Sequence, residues 1–381
     1  MERYLKKPIS RLIRDPSFRK VLFLSGPRQV GKTTLSQALI PDAEYFNYDI
    51  TKDRDVFVHQ KWNHDAPLII FDELHKKKKW KLWLKGLYDQ HTAQKILVTG
   101  SAKLETAKKI GDSLAGRFYS FRLHPLDLKE LREKGDAMEI FKKLLERGGF
   151  PEPFFAKTDA QARLWRRSHL DAIIRQDILS LETVRDLDGI ETLVELLSER
   201  VGSTISVNSL ARDLDRDPKT LARWIKILED FYIVFRVLPF SKNIARAKKK
   251  QAKIYFFDCG RVRGDQGAKI ENAVALALRK ELDRIEDTEG YQTRLSFLQN
   301  KDQREIDFRI EVESHSPVYV EVKSGDTDES PSFSTFREAL EEGSLREQWV
   351  LNLEKAFTTR NGVRIRPLLD ALAHLDLLRK G

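Results

Sequence analysis

The sequence has little sulfur: one cysteine, Cys259, and two methionines in 381 residues. A single cysteine excludes an intrachain disulfide and a thiolate zinc cage. His59, His64, His75, His91, His124 and His169 are scattered without metal-ligand spacing, so no zinc site is expected. No apolar run is long enough to cross a bilayer, and the start shows no signal-peptide pattern. These absences lead to the expectation of a cytoplasmic protein without a membrane partner. The length is too great for one ordinary core and implies two or three domains. Hydrophobic residues make up 41% and charged residues 33%, with a net charge of +10. That balance suits a polyanionic partner, although a well-solvated surface gives the same number.

What is present begins with a phosphate-binding pattern. Val21-Leu22-Phe23-Leu24-Ser25 is a short apolar run of buried-strand type. It is followed by Gly26-Pro27-Arg28-Gln29-Val30-Gly31-Lys32-Thr33-Thr34 and then a helix-like stretch with Leu35, Ala38 and Leu39. This is G-x-x-x-x-G-K-T in the strand–loop–helix setting the motif requires. The glycines let successive backbone N–H groups turn inward around phosphates at the positive end of a helix. Lys32 would reach the β- and γ-phosphates, and the Thr33 hydroxyl would take a position on Mg²⁺. The expected cofactors are ATP and Mg²⁺.

The other half of such a site is an acid ending an apolar strand, and Leu68-Ile69-Ile70-Phe71-Asp72-Glu73 supplies it. Asp72 would hold Mg²⁺, and Glu73 is placed to polarise the attacking water, which argues for turnover. A third strand, Lys95 to Ser101, ends in small polar residues. Thr99 or Ser101 could sense the γ-phosphate or hold the water; a strand simply leaving into a turn is the alternative. Arg117, just after Gly116, stands where a finger reaching a neighbour's γ-phosphate would be expected, which would require a homo-oligomer; a surface arginine is the alternative. Lys76 to Lys79 read as a solvated helix start, and Cys259 as a small buried residue.

These residues resemble a group of bacterial and archaeal AAA-type ATPases whose carboxy-terminal half has a restriction-endonuclease-like core of uncharacterised function. The shared pieces are G-P-R-Q-V-G-K-T-T, F-D-E-L-H at 71–75, T-G-S at 99–101 and A-G-R at 115–117 leading to Leu123-His124-Pro125-Leu126. Later come Gly148-Gly149-Phe150-Pro151-Glu152, Lys253 to Gly260, Glu305-Ile306-Asp307-Phe308 and Glu321-Val322-Lys323. The resemblance implies an AAA core and ATP binding. The Gly148–Glu152 segment reads as a turn between the ATPase and a helical region.

From about 136 to 200 the periodicity is helical, through Ile140, Leu144, Leu145, Leu164, Leu170, Ile173, Ile174, Leu193, Leu196 and Leu197. Val207, Leu210, Ala211 and Leu214 then mark a short helix. Asp217-Pro218 opens a second helix with buried Leu221, Trp224, Ile225 and Leu228. Its opposite face carries Lys219, Arg223 and Lys226. A strand follows, Tyr232 to Leu238, then a basic loop containing Lys242, Arg246, Lys248, Lys249, Lys250 and Lys253 before the next strand. Two helices, a tight turn and a basic hairpin suggest a winged helix whose second helix and wing contact double-stranded DNA; the alternative is a protein-packing module.

The last third alternates helix and strand. A helix is expected from Glu271, followed by strands Arg294–Gln299, Glu305–Ile310 and Val318–Lys323. Glu321 and Lys323, two apart, share one strand face. Within a chain of this resemblance the set suggests a metal-dependent nuclease site. Asp307 and Glu321 would bind Mg²⁺, Glu271 would assist and Lys323 would activate water. A plain ion pair is the alternative. The expected architecture is α/β: an AAA-type core at 1–135, a helical lid at 136–202, a winged helix at 203–252 and a restriction-endonuclease-like domain at 253–381. The expected function is ATP hydrolysis coupled to DNA, or an ATP-gated module that binds a protein partner and cuts nothing.

Overall fold

The computed structural model describes residues 2–90, 94–100, 114–179, 186–241, 251–325 and 328–378. They form two compact units: residues 1–125 with 230–232, and residues 126–229 with 233–381.

The first unit is built on five parallel strands: β1 (Val21–Ser25), β2 (Glu44–Asn47), β3 (Leu68–Asp72), β4 (Lys95–Thr99) and β5 (Phe118–Arg122), in the order β2-β3-β4-β1-β5. Strands β1, β3 and β4 are buried along their whole length, as continuous apolar runs in a parallel sheet should be. One face packs Phe23, Phe57, Ile69, Phe71, Trp80, Leu84 and Val98 into a core. Because β4 lies between β1 and β3, the loop leaving β1 and the acid ending β3 flank the end of β4. In parallel α/β sheets ligands bind at that carboxyl edge.

The second unit contains a nine-stranded mixed sheet, ordered β13-β14-β12-β11-β10-β9-β7-β8-β6. Its strands are β6 (Thr204–Ile205), β7 (Val234–Pro239), β8 (Ala252–Phe256), β9 (Thr293–Gln299), β10 (Glu305–Val312), β11 (Val318–Lys323), β12 (Leu345–Val350), β13 (Phe357–Thr358) and β14 (Arg364–Pro367). Helices Val207–Asp213 and Pro218–Asp230 stand before β7, in the register expected. Asp217 accepts the Lys219 N–H at 2.8 Å, and Pro218 occupies the first helical position.

Several boundaries differ from expectation. The first unit ends at 125 rather than 135. Residues beyond it are tied into the second unit by buried ion pairs: Lys280 with Asp127 (3.0 Å) and Glu130, and Lys129 with Glu281 (2.9 Å). At the expected 252/253 boundary β8 begins, and it pairs with β7 and β6. The helix expected from Glu271 spans Gln266–Glu289, capped by Asp265 accepting the Ala268 N–H at 2.8 Å. Gly148-Gly149 is not a turn between the ATPase and the helices; it joins helix Ala137–Arg147 to helix Pro151–Phe154 inside the second unit. There Gly148, at φ 75°, approaches Asp258 so closely that a Cβ would lie 1.9 Å from its Oδ1. Leu164 does not join the apolar face: it is 69% exposed, and Ala162 and Trp165 are buried instead.

Candidate nucleotide site and a second carboxylate cluster

The loop after β1 turns through positive φ at Gly26 (147°), Gln29 (61°) and Gly31 (98°) before helix Lys32–Gln37. At Gly26 a Cβ would stand 2.3 Å from the Leu123 carbonyl oxygen, so close backbone approach, as well as conformation, requires glycine. The Lys32 ammonium donates to the carbonyls of Gly26 (3.1 Å) and Pro27 (2.7 Å), holding the loop folded around it. From outside, the buried guanidinium of Arg3 donates to the Val30 carbonyl at 2.8 Å and to that of His124. Nothing in the motif points to Arg3, because its partners are backbone atoms brought near by the fold.

Asp72, buried at the end of β3, is the hub of the site. Its Oδ2 accepts from Thr33 Oγ1 (2.9 Å) and the Tyr45 hydroxyl (2.6 Å); its Oδ1 accepts from Thr99 Oγ1 (2.5 Å) and the Glu73 N–H (3.0 Å). Burial, then the bond to Asp72, raises the Tyr45 pKa well above 10.0, so the phenol remains a donor. Tyr45 was not legible in the sequence, although alternation along β2 puts Asn47 on the same face, and its Nδ2 donates to the phenol at 3.3 Å. The Thr33 hydroxyl and the Asp72 carboxylate, side by side near Lys32, form an oxygen donor set that fits Mg²⁺ with phosphate.

Glu73 follows at φ 55°. Burial raises its pKa above 4.5; Lys76 opposes the shift and the Asp72 charge adds to it. Its Oε2 lies 3.3 Å from Lys76 Nζ and 3.6 Å from His75 Nε2, and Lys76 also reaches Asp49 at 2.5 Å. Lys76 is therefore not merely part of a solvated helix start.

Arg117 is not brought to this site. It immediately precedes β5, whose Phe118 pairs with Val21, so it stands at the opposite edge of the sheet from the loop. Five strand residues separate the two edges, about 16 Å at the usual rise. There it pairs with Asp89 at 3.4 Å and lies over the Tyr88 ring. This leaves no contact within the same chain for a finger. Ser101 lies outside the described residues, as do His91, Lys242, Arg246, Lys248, Lys249 and Lys250.

In the second unit, β10 and β11 are antiparallel neighbours. Asp307 Oδ2 accepts the Val322 N–H at 2.8 Å, and Lys323 Nζ lies 3.4 Å from Glu321 Oε2. Burial, then the Asp307 charge, pushes the Glu321 carboxyl up to about 8, with Lys323 opposing. Glu271 is committed elsewhere: its Oε1 accepts from Lys253 Nζ (3.1 Å) and the Tyr255 hydroxyl (2.7 Å). Its pKa rises to about 7 through burial and the Asp307 charge. Lys253 does not belong to the basic loop where the sequence placed it: it lies in β8, is fully buried and also pairs with Glu305 at 2.8 Å, because strand pairing turns its side chain inward. Among the described residues no group of three or more His, Cys, Asp or Glu side chains is arranged to hold a metal. Lys219, Arg223 and Lys226 are exposed on helix Pro218–Asp230, as the periodicity implies. Cys259 is buried, and burial pushes its thiol up to about 12.

Five parallel strands in this order, a glycine-rich loop carrying lysine and threonine, and the hydrogen-bonded Asp72 give the first unit the features of an AAA-type P-loop nucleotide-binding domain. Residues 18–132 match the family described as "AAA domain". Residues 138–263 and 266–369 match two families described as "Domain of unknown function", DUF8612 and DUF4143. An uncharacterized protein of Mycobacterium tuberculosis is 26% identical over 245 residues, 63% of this chain and 54% of that protein. An uncharacterized protein of Methanocaldococcus jannaschii is 22% identical over 302 residues, 73% of this chain and 66% of that protein. The chain thus spans roughly half to two thirds of the length of these curated relatives. Among solved structures, AMPPCP-bound DnaA from Aquifex aeolicus aligns at 16% identity with a TM-score of 0.32, over 59% of this chain and 86% of that one. Among the described residues no helix is long and apolar enough to cross a membrane.

Proposed function

We propose that the chain binds ATP with Mg²⁺ at Gly26–Thr34 and hydrolyses it. In this reading Lys32 meets the β- and γ-phosphates, Thr33 and Asp72 hold the metal, and Glu73 is the general base. The observation that carries it is Asp72 joined to Thr33 at 2.9 Å, with Thr99 and Tyr45 fixing the same carboxylate. Thr99 acts here through Asp72, orienting the magnesium ligand rather than touching phosphate. Glu73, raised by burial, is a stronger base than an exposed glutamate and is held 3.3 Å from Lys76.

The same proposal makes the second unit a double-stranded-DNA-associated winged helix. Helices Leu187–Glu199, Val207–Asp213 and Pro218–Asp230 with strands β6, β7 and β8 support that reading. Lys219, Arg223 and Lys226 offer one cationic helix face to phosphate. The helix Gln266–Glu289 followed by β9 to β12 reads as a restriction-endonuclease-like core. The engagement of Glu271 by Lys253 and Tyr255 favours a core that does not cleave.

Steady-state ATP hydrolysis with and without double-stranded DNA, for the native chain and Glu73→Gln, tests this. Turnover lost in Glu73→Gln with nucleotide binding retained, and raised by DNA in the native chain, is the expected result. Turnover that depends on Glu73 but ignores DNA would leave the ATPase and favour an ATP-gated module that binds a protein partner. Turnover unaffected by Glu73→Gln would sink the hydrolytic assignment.

A further inference from the structure

The carboxylates of the second unit raise a question of charge. Glu271, Glu305, Asp307 and Glu321 come from one helix and two strands, and Asp307 and Glu321 are buried. Such a group needs a compensating cation. In metal-dependent nucleases a divalent ion meets that need; here β8 delivers a side chain.

We infer that the resident cation of this cluster is the ammonium of Lys253, and that the cluster is an ion-pair joint rather than a divalent-metal site. Lys253 has no exposed side-chain surface, and its Nζ lies 3.1 Å from Glu271 Oε1 and 2.8 Å from Glu305 Oε1. The Phe297 ring stands 5.4 Å from the same nitrogen and closes another side. Glu271 is already engaged by Lys253. Its Oε1 also takes the Tyr255 hydroxyl at 2.7 Å, and its Oε2 lies against Gly202, where a Cβ would come within 2.7 Å. Asp307 gives Oδ2 to the Val322 N–H, and Glu321 gives Oε2 to Lys323. An ion at Asp307 Oδ1 and Glu321 Oε1 would stand beside two lysines whose positive charges would repel it at low dielectric.

The joint has a mechanical consequence. Lys253 belongs to the strand that pairs with β6 and β7, whereas Glu271 and Glu305 belong to the helix and strand of the α/β core. Asn272 strengthens the same seam, accepting the Phe256 N–H (2.7 Å) and donating to the Phe256 carbonyl (3.0 Å). Lys253 therefore ties the hairpin after helix Pro218–Asp230 to the following core without a metal. This inference does not depend on the ATPase reading.

Manganese binding to the full chain, followed by electron paramagnetic resonance without nucleotide, tests it. The native protein and Asp307→Asn should bind the same number of Mn²⁺ ions. Lys253→Met should bind one more, and the double variant Lys253→Met/Asp307→Asn should lose it again. A Mn²⁺ bound by the native protein and lost in Asp307→Asn overturns the inference. So does a folded Lys253→Met that gains no ion, because Lys253 would then not be what excludes it. If Lys253→Met does not fold, the comparison of native protein with Asp307→Asn still decides.

Discussion

Tyr45 and Thr33 share one oxygen of Asp72, and this pairing yields the sharpest expectation at the scale of a residue. Tyr45→Phe removes one donor to a buried carboxylate, a bond worth about 1.5–3 kcal/mol. The KM for Mg²⁺ in ATP hydrolysis should rise about tenfold on that basis, while nucleotide binding in the presence of a chelator stays unchanged. An equal loss of both would make Tyr45 merely structural. Glu321 allows a second expectation. Its carboxyl sits at about 8 in the folded chain against an ordinary value of 4.5. Across that interval the folded state holds a proton that the unfolded chain releases. The stabilisation is therefore complete below 4.5 and is lost as pH rises through about 8. The slope is at most about 1.4 kcal/mol per pH unit. Denaturant unfolding at several pH values should show stability falling in this window, and Glu321→Gln, neutral throughout, should flatten the fall.

At the scale of elements, helix Pro218–Asp230 separates its two faces. Leu221, Trp224, Ile225 and Leu228 are buried, while Lys219, Arg223 and Lys226 are exposed. Replacing the three cations by alanine should leave stability nearly unchanged, since the buried stripe is untouched. Affinity for double-stranded DNA should fall, and the dependence of log K on log salt should become shallower by about 0.9 for each phosphate that the helix no longer neutralises. An unchanged slope would move the DNA surface elsewhere. The glycine-rich loop is the contrasting element, because neighbours constrain its backbone: Gly26 faces the Leu123 carbonyl, and Arg3 grips Val30. Its motif spelled out Lys32 and Thr33 but gave no sign of Arg3, which acts on main-chain oxygens.

At the scale of the whole molecule, the net charge of +10 and two compact units bear on the proposed coupling of ATP to DNA. If DNA acts through helix Pro218–Asp230, the triple alanine variant should keep its basal ATP turnover and lose most of its stimulation by DNA. Stimulation that persists in that variant would separate the helix from the coupling.

Local pattern determined a good deal by itself. The phosphate loop, the acid pair Asp72-Glu73, the cationic helix face and strand β11 are each written in contiguous residues, because a strand–loop–helix or a periodic face is a short-range property. Tertiary structure decided what those residues meet. It put Thr99 on Asp72 because β4 lies between β1 and β3, and it left Arg117 at the far edge because parallel strands share one direction. Lys253 was drawn beneath Glu271 by the pairing of β8 with β7 and β6, which continued the hairpin into the following sheet. Partners such as these, tens of residues apart, depend on strand order and buried charge balance, neither of which is encoded at one place in the chain.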